Sequence, residues 1–215
     1  MNLLDILFPN RCLSCNTIIT GDGLICEKCY SKVNFTHWEH LSPNPLEKRL
    51  ALFFNIQHAY ALMNFEKKGL SQKIIHQLKY GKRENIGKTL AFWCYERIHL
   101  KPSIDYLVTV PLHPSKLKKR GYNQLHLFAD TLSQLWNIPH FKNFLTRETF
   151  NSAQAQKDRV HREQNKVQFQ LNSEIKNKHI LLIDDVCTTG GTLSSCAWEL
   201  IKNQNTVSVL VMAID

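Results

Sequence analysis

From residue 59 onward, apolar positions switch between two periods. Ala59–Phe65 is an apolar run of strand length. Leu70, Ile74, Ile75 and Leu78 share one face of a helix, and so do Ile86, Leu90, Cys94 and Ile98. Asp105–Val110 reads as a short buried strand. Leu125, Phe128, Leu132 and Leu135 mark an amphipathic helix. Residues 147–166 are polar and rich in Gln, Arg and Lys, which predicts an exposed loop with some helix. Val167–Leu171, His179–Asp184 and Thr206–Ile214 are three further strands, with a helix over 191–203 between the last two. Strands alternating with helices predict an α/β domain, a mostly parallel sheet with helices on both faces. The first fifty residues break this pattern. They hold four of the seven cysteines and end in HLSPNPLEKR, with Pro43 and Pro45. This divides the chain into a small N-terminal module, 1–50, and the α/β domain, 51–215.

Composition narrows the class. With 215 residues, 43% hydrophobic and 21% charged, the chain is an ordinary globular one, and eight Gly and seven Pro exclude a collagen-like or low-complexity protein. The longest strongly apolar stretch, Val207–Ile214, is far short of the roughly 20 residues a spanning helix needs. The start, MNLLDILFPNRC, lacks a basic n-region and carries Asp5, so it makes a poor secretory signal. A cytoplasmic protein with reduced thiols is expected.

Clustered thiols in a reducing compartment point to metal. Cys12 and Cys15 form one CxxC, and Cys26 and Cys29 form another. Each CxxC folds back so that both sulfurs reach one ion, and two such knuckles complete a tetrahedral thiolate site for Zn²⁺. Iron–sulfur and redox-dithiol chemistry are the alternatives. Ile18 and Ile19, Gly21-Asp22-Gly23, then Leu24 and Ile25 read as a hairpin that joins the knuckles. A closed four-Cys site has no open position, so its role is structural: it staples a segment too small to hold its own core.

The net charge of +9 favours phosphate or nucleic-acid partners, and its distribution matters more than its size. Lys116, Lys118, Lys119 and Arg120 form one cluster; Lys157, Arg159, Arg162 and Lys166, with His161, form a second.

The most informative segment is LLIDDVCTTGGTL, residues 181–193. An apolar strand ends in Asp184 and Asp185; a Thr-Gly loop follows, then a helix. Ligands of open α/β sheets sit outside the carboxyl ends of the strands. Gly190 and Gly191 let backbone approach a ligand, and the unpaired N–H groups of a helix start attract an anion. Thr188, Thr189 and Thr192 add hydroxyl donors. The set is a phosphate cup, and the two aspartates suit the hydroxyls of an attached sugar or a nearby Mg²⁺. A capped helix start beside a solvated Asp pair is the plainer alternative. There is no Walker A sequence and no GxGxxG.

This segment resembles the phosphoribosyl-pyrophosphate (PRPP) motif of type I phosphoribosyltransferases. The resemblance narrows to the ComF family (ComFC or GntX-like), through the amino end with LFPNRCLSCN and two CxxC pairs, IIHQLKYGKR at 74–83 and VPLHPSKLKKRGYNQ at 110–124. Arg147, Gln154, Arg162 and Asn165 match the family's polar segment more loosely, and Lys157 stands where a Leu is usual. The resemblance implies a type I phosphoribosyltransferase-like sheet beside a zinc-ribbon-like module. Asp184 and Asp185 would hold the ribose hydroxyls, and Thr188, Thr189, Gly190, Gly191 and Thr192 the 5′-phosphate, with Mg²⁺ accompanying PRPP. His113, Lys118, Lys119 and Arg120 would meet the pyrophosphate or a DNA backbone.

Two functions follow from the resemblance. One is a cytosolic handler of incoming single-stranded DNA in natural competence, binding PRPP or a related sugar phosphate and meeting competence proteins. The other is a working Mg-dependent phosphoribosyltransferase acting on a base or small nucleophile. Thr188 occupies the place where some superfamily members carry an acidic general base, and threonine is a poor base. Tyr122 is expected to pack under its own helix, Cys187 to be a small packing residue, and Cys94 and Cys196 to be buried thiols. Lys79 and Tyr80 either face the ligand or end their helix in solvent.

Overall fold

The computed structural model describes residues 9–21, 23–81, 85–101, 103–147 and 169–215. Among these residues the elements run α1 (Glu27–Tyr30), α2 (Pro45–Leu50), β1 (Ala59–Asn64), α3 (Leu70–Tyr80), α4 (Asn85–Arg97), β2 (Tyr106–Thr109), α5 (Pro114–Arg120), α6 (Gln124–Trp136), β3 (Leu145–Arg147), β4 (Phe169–Leu171), β5 (His179–Cys187), α7 (Gly191–Lys202) and β6 (Thr206–Ile214).

The main sheet has the order β1-β6-β5-β2, and every pair is parallel. β5 and β6 are central and buried along nearly their whole length, as strands covered on both faces must be. The helical stripes face this sheet: Ile74, Ile75 and Leu78 of α3, Ile86, Leu90 and Cys94 of α4, and Leu125, Phe128 and Leu132 of α6 are all buried. Because all four strands point the same way, their carboxyl ends share one edge.

Two local expectations change. β5 does not stop at Asp184. It keeps pairing with β6 through Val186↔Ala213 and Cys187↔Ile214, so the acidic pair lies within a strand held by a neighbour. The expected hairpin between the cysteine pairs turns at Asp22, which lies outside the described residues, and no strand ladder joins Ile18–Ile19 to Leu24–Ile25 among those described. Arg11 bridges Ile18, and the Asn10 side-chain amide donates to the carbonyls of Gly21 (2.9 Å) and Gly23 (2.7 Å). One side chain thus holds both glycines. β3 was not foreseen; it pairs antiparallel with β4 in a separate two-stranded sheet. Most of the polar stretch 147–166, with Gln154, Lys157, Arg159, Arg162, Asn165 and Lys166, lies outside the described residues.

A single apolar cluster runs from Leu24, Val33 and Phe35 through Leu46 and Leu50 into the sheet. Phe35 bridges Met63 of β1, and Arg97 of α4 lies 3.7 Å from the Phe35 ring centroid while donating to the Tyr30 hydroxyl at 2.8 Å. Stacking uses the apolar face of a guanidinium whose edge remains hydrogen-bonded. No helix among the described residues is long and apolar enough to cross a membrane.

Candidate sugar-phosphate site and metal centre

The acidic pair sits at the carboxyl edge of β5. Asp185 is buried and Asp184 half-buried. Asp184 Oδ1 accepts from the Asp185 amide at 2.8 Å. Loss of water around Asp184, reinforced by the neighbouring Asp185 charge, pushes its carboxyl up to about 8. Two carboxylates this close favour one shared proton, or a cation or hydroxyl-rich ligand that takes its place.

Two segments distant in sequence converge on Asp185. Lys79, at the end of α3, places Nζ 2.7 Å from Oδ1. Gln124, the first residue of α6, donates through Nε2 to Oδ2, and Arg120 in turn donates to the Gln124 side-chain carbonyl. Arg120 also lies 5.3 Å from the ring centroid of Tyr80, which is 61% exposed. The Tyr122 hydroxyl donates to Leu78 O at 2.8 Å, joining the α5–α6 turn to α3. Gly121 at φ +84° ends α5, and Asn123 caps α6 by accepting from the Leu125 amide at 3.0 Å. These local stop and start signals bring Arg120 and Gln124 onto one side of the turn.

The remaining cationic residues behave differently. Lys118 and Lys119 are exposed and carry no ion pair among the described residues. His113 caps α5, its Nδ1 accepting from the Ser115 amide at 3.2 Å.

The Thr-Gly loop leaves β5 directly. Thr188, Thr189, Gly191 and Thr192 are exposed, and Gly190 is the N-cap of α7 at φ +88°. The first turn of α7 carries no acidic residue, so nothing offsets the positive end of the helix. The loop's inner side rests on α2: Arg49 Nη1 donates to Thr188 O (2.5 Å) and Asp215 O (2.6 Å), and a Cβ added at residue 190 would lie 2.9 Å from Leu50 Cδ2. Cys187 is buried here, its thiol pushed up by burial, and Cys94 and Cys196 are buried as expected.

In the N-terminal segment the sulfurs of Cys12, Cys15, Cys26 and Cys29 lie within 4.8 Å of one another, with Cys15 and Cys26 at 3.6 Å. Zn–S bonds of about 2.3 Å in a tetrahedron separate the sulfurs by about 3.8 Å, so the set fits the ion. Asn16, at φ +64°, turns the first knuckle, with Cys12 N donating to Thr17 O at 2.9 Å. Hydrogen bonding with Thr17 holds the Cys15 thiol down to about 6, toward the thiolate that ligates metal. Four thiolates leave no open position: this is a structural zinc site.

Comparison with known proteins agrees at both ends. The double zinc ribbon domain family matches residues 3–40, and the phosphoribosyl transferase domain family matches residues 125–213. The chain is 31% identical over 139 residues to Competence protein F of Haemophilus influenzae, covering 60% of this chain and 61% of that one. It is 32% identical over 104 residues to Competence protein ComFC of Bacillus subtilis, covering 48% and 41%. The chain is thus similar to named competence proteins of the ComF type. The "DNA utilization protein YhgH" of Escherichia coli O157:H7 is similar over more of the chain, 25% identical over 202 residues and covering 89% and 84%.

Within this chain, residue patterns alone singled out the acidic pair, the cup and the four cysteines. They left Lys79 undecided and missed Gln124 and Arg49. Gln124 stands one residue after its helix cap, where a polar side chain carries no signal. Arg49 lies 139 residues from Thr188, in what reads as the linker after the zinc module.

Proposed function

We propose that this protein binds PRPP with Mg²⁺ at the carboxyl edge of β5. The reading rests on one observation: the Asp184–Asp185 pair and the Thr188–Thr192 loop lie in direct succession at the edge where open α/β sheets bind ligands, with Lys79 and Gln124 on Asp185 and Arg120 held by Gln124. On this reading the aspartates hold the ribose hydroxyls, and Thr188, Thr189, Gly190, Gly191 and Thr192 hold the 5′-phosphate. Arg120, with Lys118, Lys119 and His113 on the same short helix and its cap, faces the pyrophosphate or a nucleic-acid backbone. Bound Mg²⁺ neutralises pyrophosphate charge. The protein's own contribution is to position the sugar and keep Asp185 paired until hydroxyls replace Lys79 or Gln124. On this reading residues 1–50 form the zinc module, whose α2 also underlies the cup, and 51–215 form the sugar-phosphate domain.

The names of the competence relatives, together with the charge of +9, support a role as a cytoplasmic handler of incoming single-stranded DNA, alongside other competence proteins. Titration calorimetry with PRPP and Mg²⁺ tests the core claim: wild type binds, and Asp184→Ala with Asp185→Ala does not. Equal heats from the two proteins refute it. For DNA, single-strand affinity falls with salt and drops in Lys118→Glu with Arg120→Glu; unchanged affinity in that variant refutes the assignment.

The intact acidic pair and cup also favour a second reading, transfer of ribose 5-phosphate to a base or small nucleophile. In that reaction the bond from the anomeric carbon to pyrophosphate breaks as the bond to the acceptor forms. Pyrophosphate release across a panel of acceptors distinguishes a catalyst from a binding protein.

A further inference from the structure

Whether a Thr-Gly loop binds an anion depends on which way its peptide groups face, and here an outside residue controls that direction. We propose that Arg49 is the positioning residue of the phosphate cup: by holding the Thr188 carbonyl from below, it turns the Thr189 N–H outward to the ligand. This rests on reading 188–192 as a phosphate site.

In a trans peptide the C=O and N–H of one unit point in opposite directions. The Thr188 oxygen is held by Arg49 Nη1 at 2.5 Å, so the N–H of the same peptide points away from Arg49. Among the described residues neither the Thr189 nor the Gly190 N–H has an acceptor, and Thr189 is exposed. The second hydrogen of Nη1 goes to Asp215 O at 2.6 Å, which stops the guanidinium from rotating. That oxygen is itself placed by the sheet, since the Asp215 amide donates to Cys187 O at 3.0 Å.

The helix carrying Arg49 is firmly seated. Asn44 begins α2 with a capping box, its side chain accepting from the Leu46 and Glu47 amides while Glu47 accepts from the Asn44 amide. The Asn44 side-chain amide also donates to Ala59 O at 2.7 Å, and Leu46 and Leu50 are fully buried. Consecutive residues therefore shape the underside of the cup. Arg49 sets the peptide direction, and Leu50 fills the space that makes Gly190 necessary. Arg49 also brings a positive charge to the loop, and a lysine at this position separates charge from hydrogen-bond geometry.

The test is calorimetric titration of the full-length zinc-loaded protein with ribose 5-phosphate, PRPP plus Mg²⁺, and pyrophosphate, using wild type, Arg49→Lys and Arg49→Met. Arg49→Met weakens ribose 5-phosphate and PRPP by a common factor of about ten or more and leaves pyrophosphate unchanged, while Arg49→Lys recovers only part of the loss. Zinc content and melting temperature report folding. If Arg49→Met does not fold, Arg49→Lys carries the test, read also by the Thr189 amide ¹H–¹⁵N resonance, which moves when its peptide reorients. Wild-type affinity for ribose 5-phosphate in Arg49→Lys with an unmoved Thr189 resonance overturns the proposal. So does an equal loss for all three ligands. If wild-type protein gives no heat with any ligand, the phosphate-site reading fails. The resonance then decides whether Arg49 sets the peptide direction.

Discussion

Replacing Asp184 with asparagine should make the protein more stable while abolishing sugar-phosphate binding. Burial and the Asp185 charge raise the Asp184 carboxyl from its ordinary value of 3.8 to about 8. The sign follows from proton binding. Between pH 4 and 8 the folded chain keeps a proton on this group that the unfolded chain has released, so stability falls as pH rises through that window. At about 1.4 kcal/mol per pH unit, three units of separation at pH 7 give an upper bound of about 4 kcal/mol. Relaxation and water entry at a half-buried carboxyl reduce this to about 1–2 kcal/mol, or roughly 3–6 °C of melting temperature for a chain of this length. Asparagine still accepts from the Asp185 amide but never ionises. The assay is thermal melting of wild type and Asp184→Asn at pH 5, 6, 7 and 8 with zinc present. Proton binding by the cysteines is common to both proteins and cancels in the difference. The curves should nearly coincide at pH 5 and separate as pH rises, with the asparagine variant melting higher. Parallel pH profiles, or a lower melting temperature for Asp184→Asn throughout, would refute the reasoning.

Other outcomes follow from the same geometry. Lys79→Met removes the cation 2.7 Å from Asp185, at a cost of about 3 kcal/mol near neutral pH. It also pushes Asp184 further up, so melting measured from pH 5 to 9 should show the loss growing with pH. Gly190→Ala forces a side chain into left-handed backbone and against Leu50; a loss of about 1–3 kcal/mol in denaturant unfolding is expected, with weaker ribose 5-phosphate binding. Metal analysis should find one zinc for the four cysteines. Its removal by a chelator should expose the 9–35 segment to protease and lower the melting temperature, because the knuckles hold Leu24, Val33 and Phe35 on the common core. An unchanged digestion pattern would count against that coupling.

What the sequence determined by itself was whatever is encoded within a few residues. The 3.6-residue stripes of α3, α4 and α6 and the apolar runs of β1, β2, β5 and β6 each state their own structure. The cysteine knuckles and the DDVCTTGGT segment carry their chemistry in their spacing. Even here local reading ended β5 too early: Val186 and Cys187 remain in the strand because Ala213 and Ile214 pair with them. The glycines between the knuckles carried no sign that the Asn10 amide, more than ten residues away, would bind both their carbonyls. Tertiary structure alone decided that Lys79 and Gln124 would meet on Asp185, and that Arg49 would lie beneath Thr188. The physical reason is range. Helix and strand periods arise from contacts within a turn or between neighbouring side chains, whereas these ion pairs and hydrogen bonds join groups whose separation along the chain leaves no periodic trace. They form only once the parallel sheet has brought the ends of its strands to one edge.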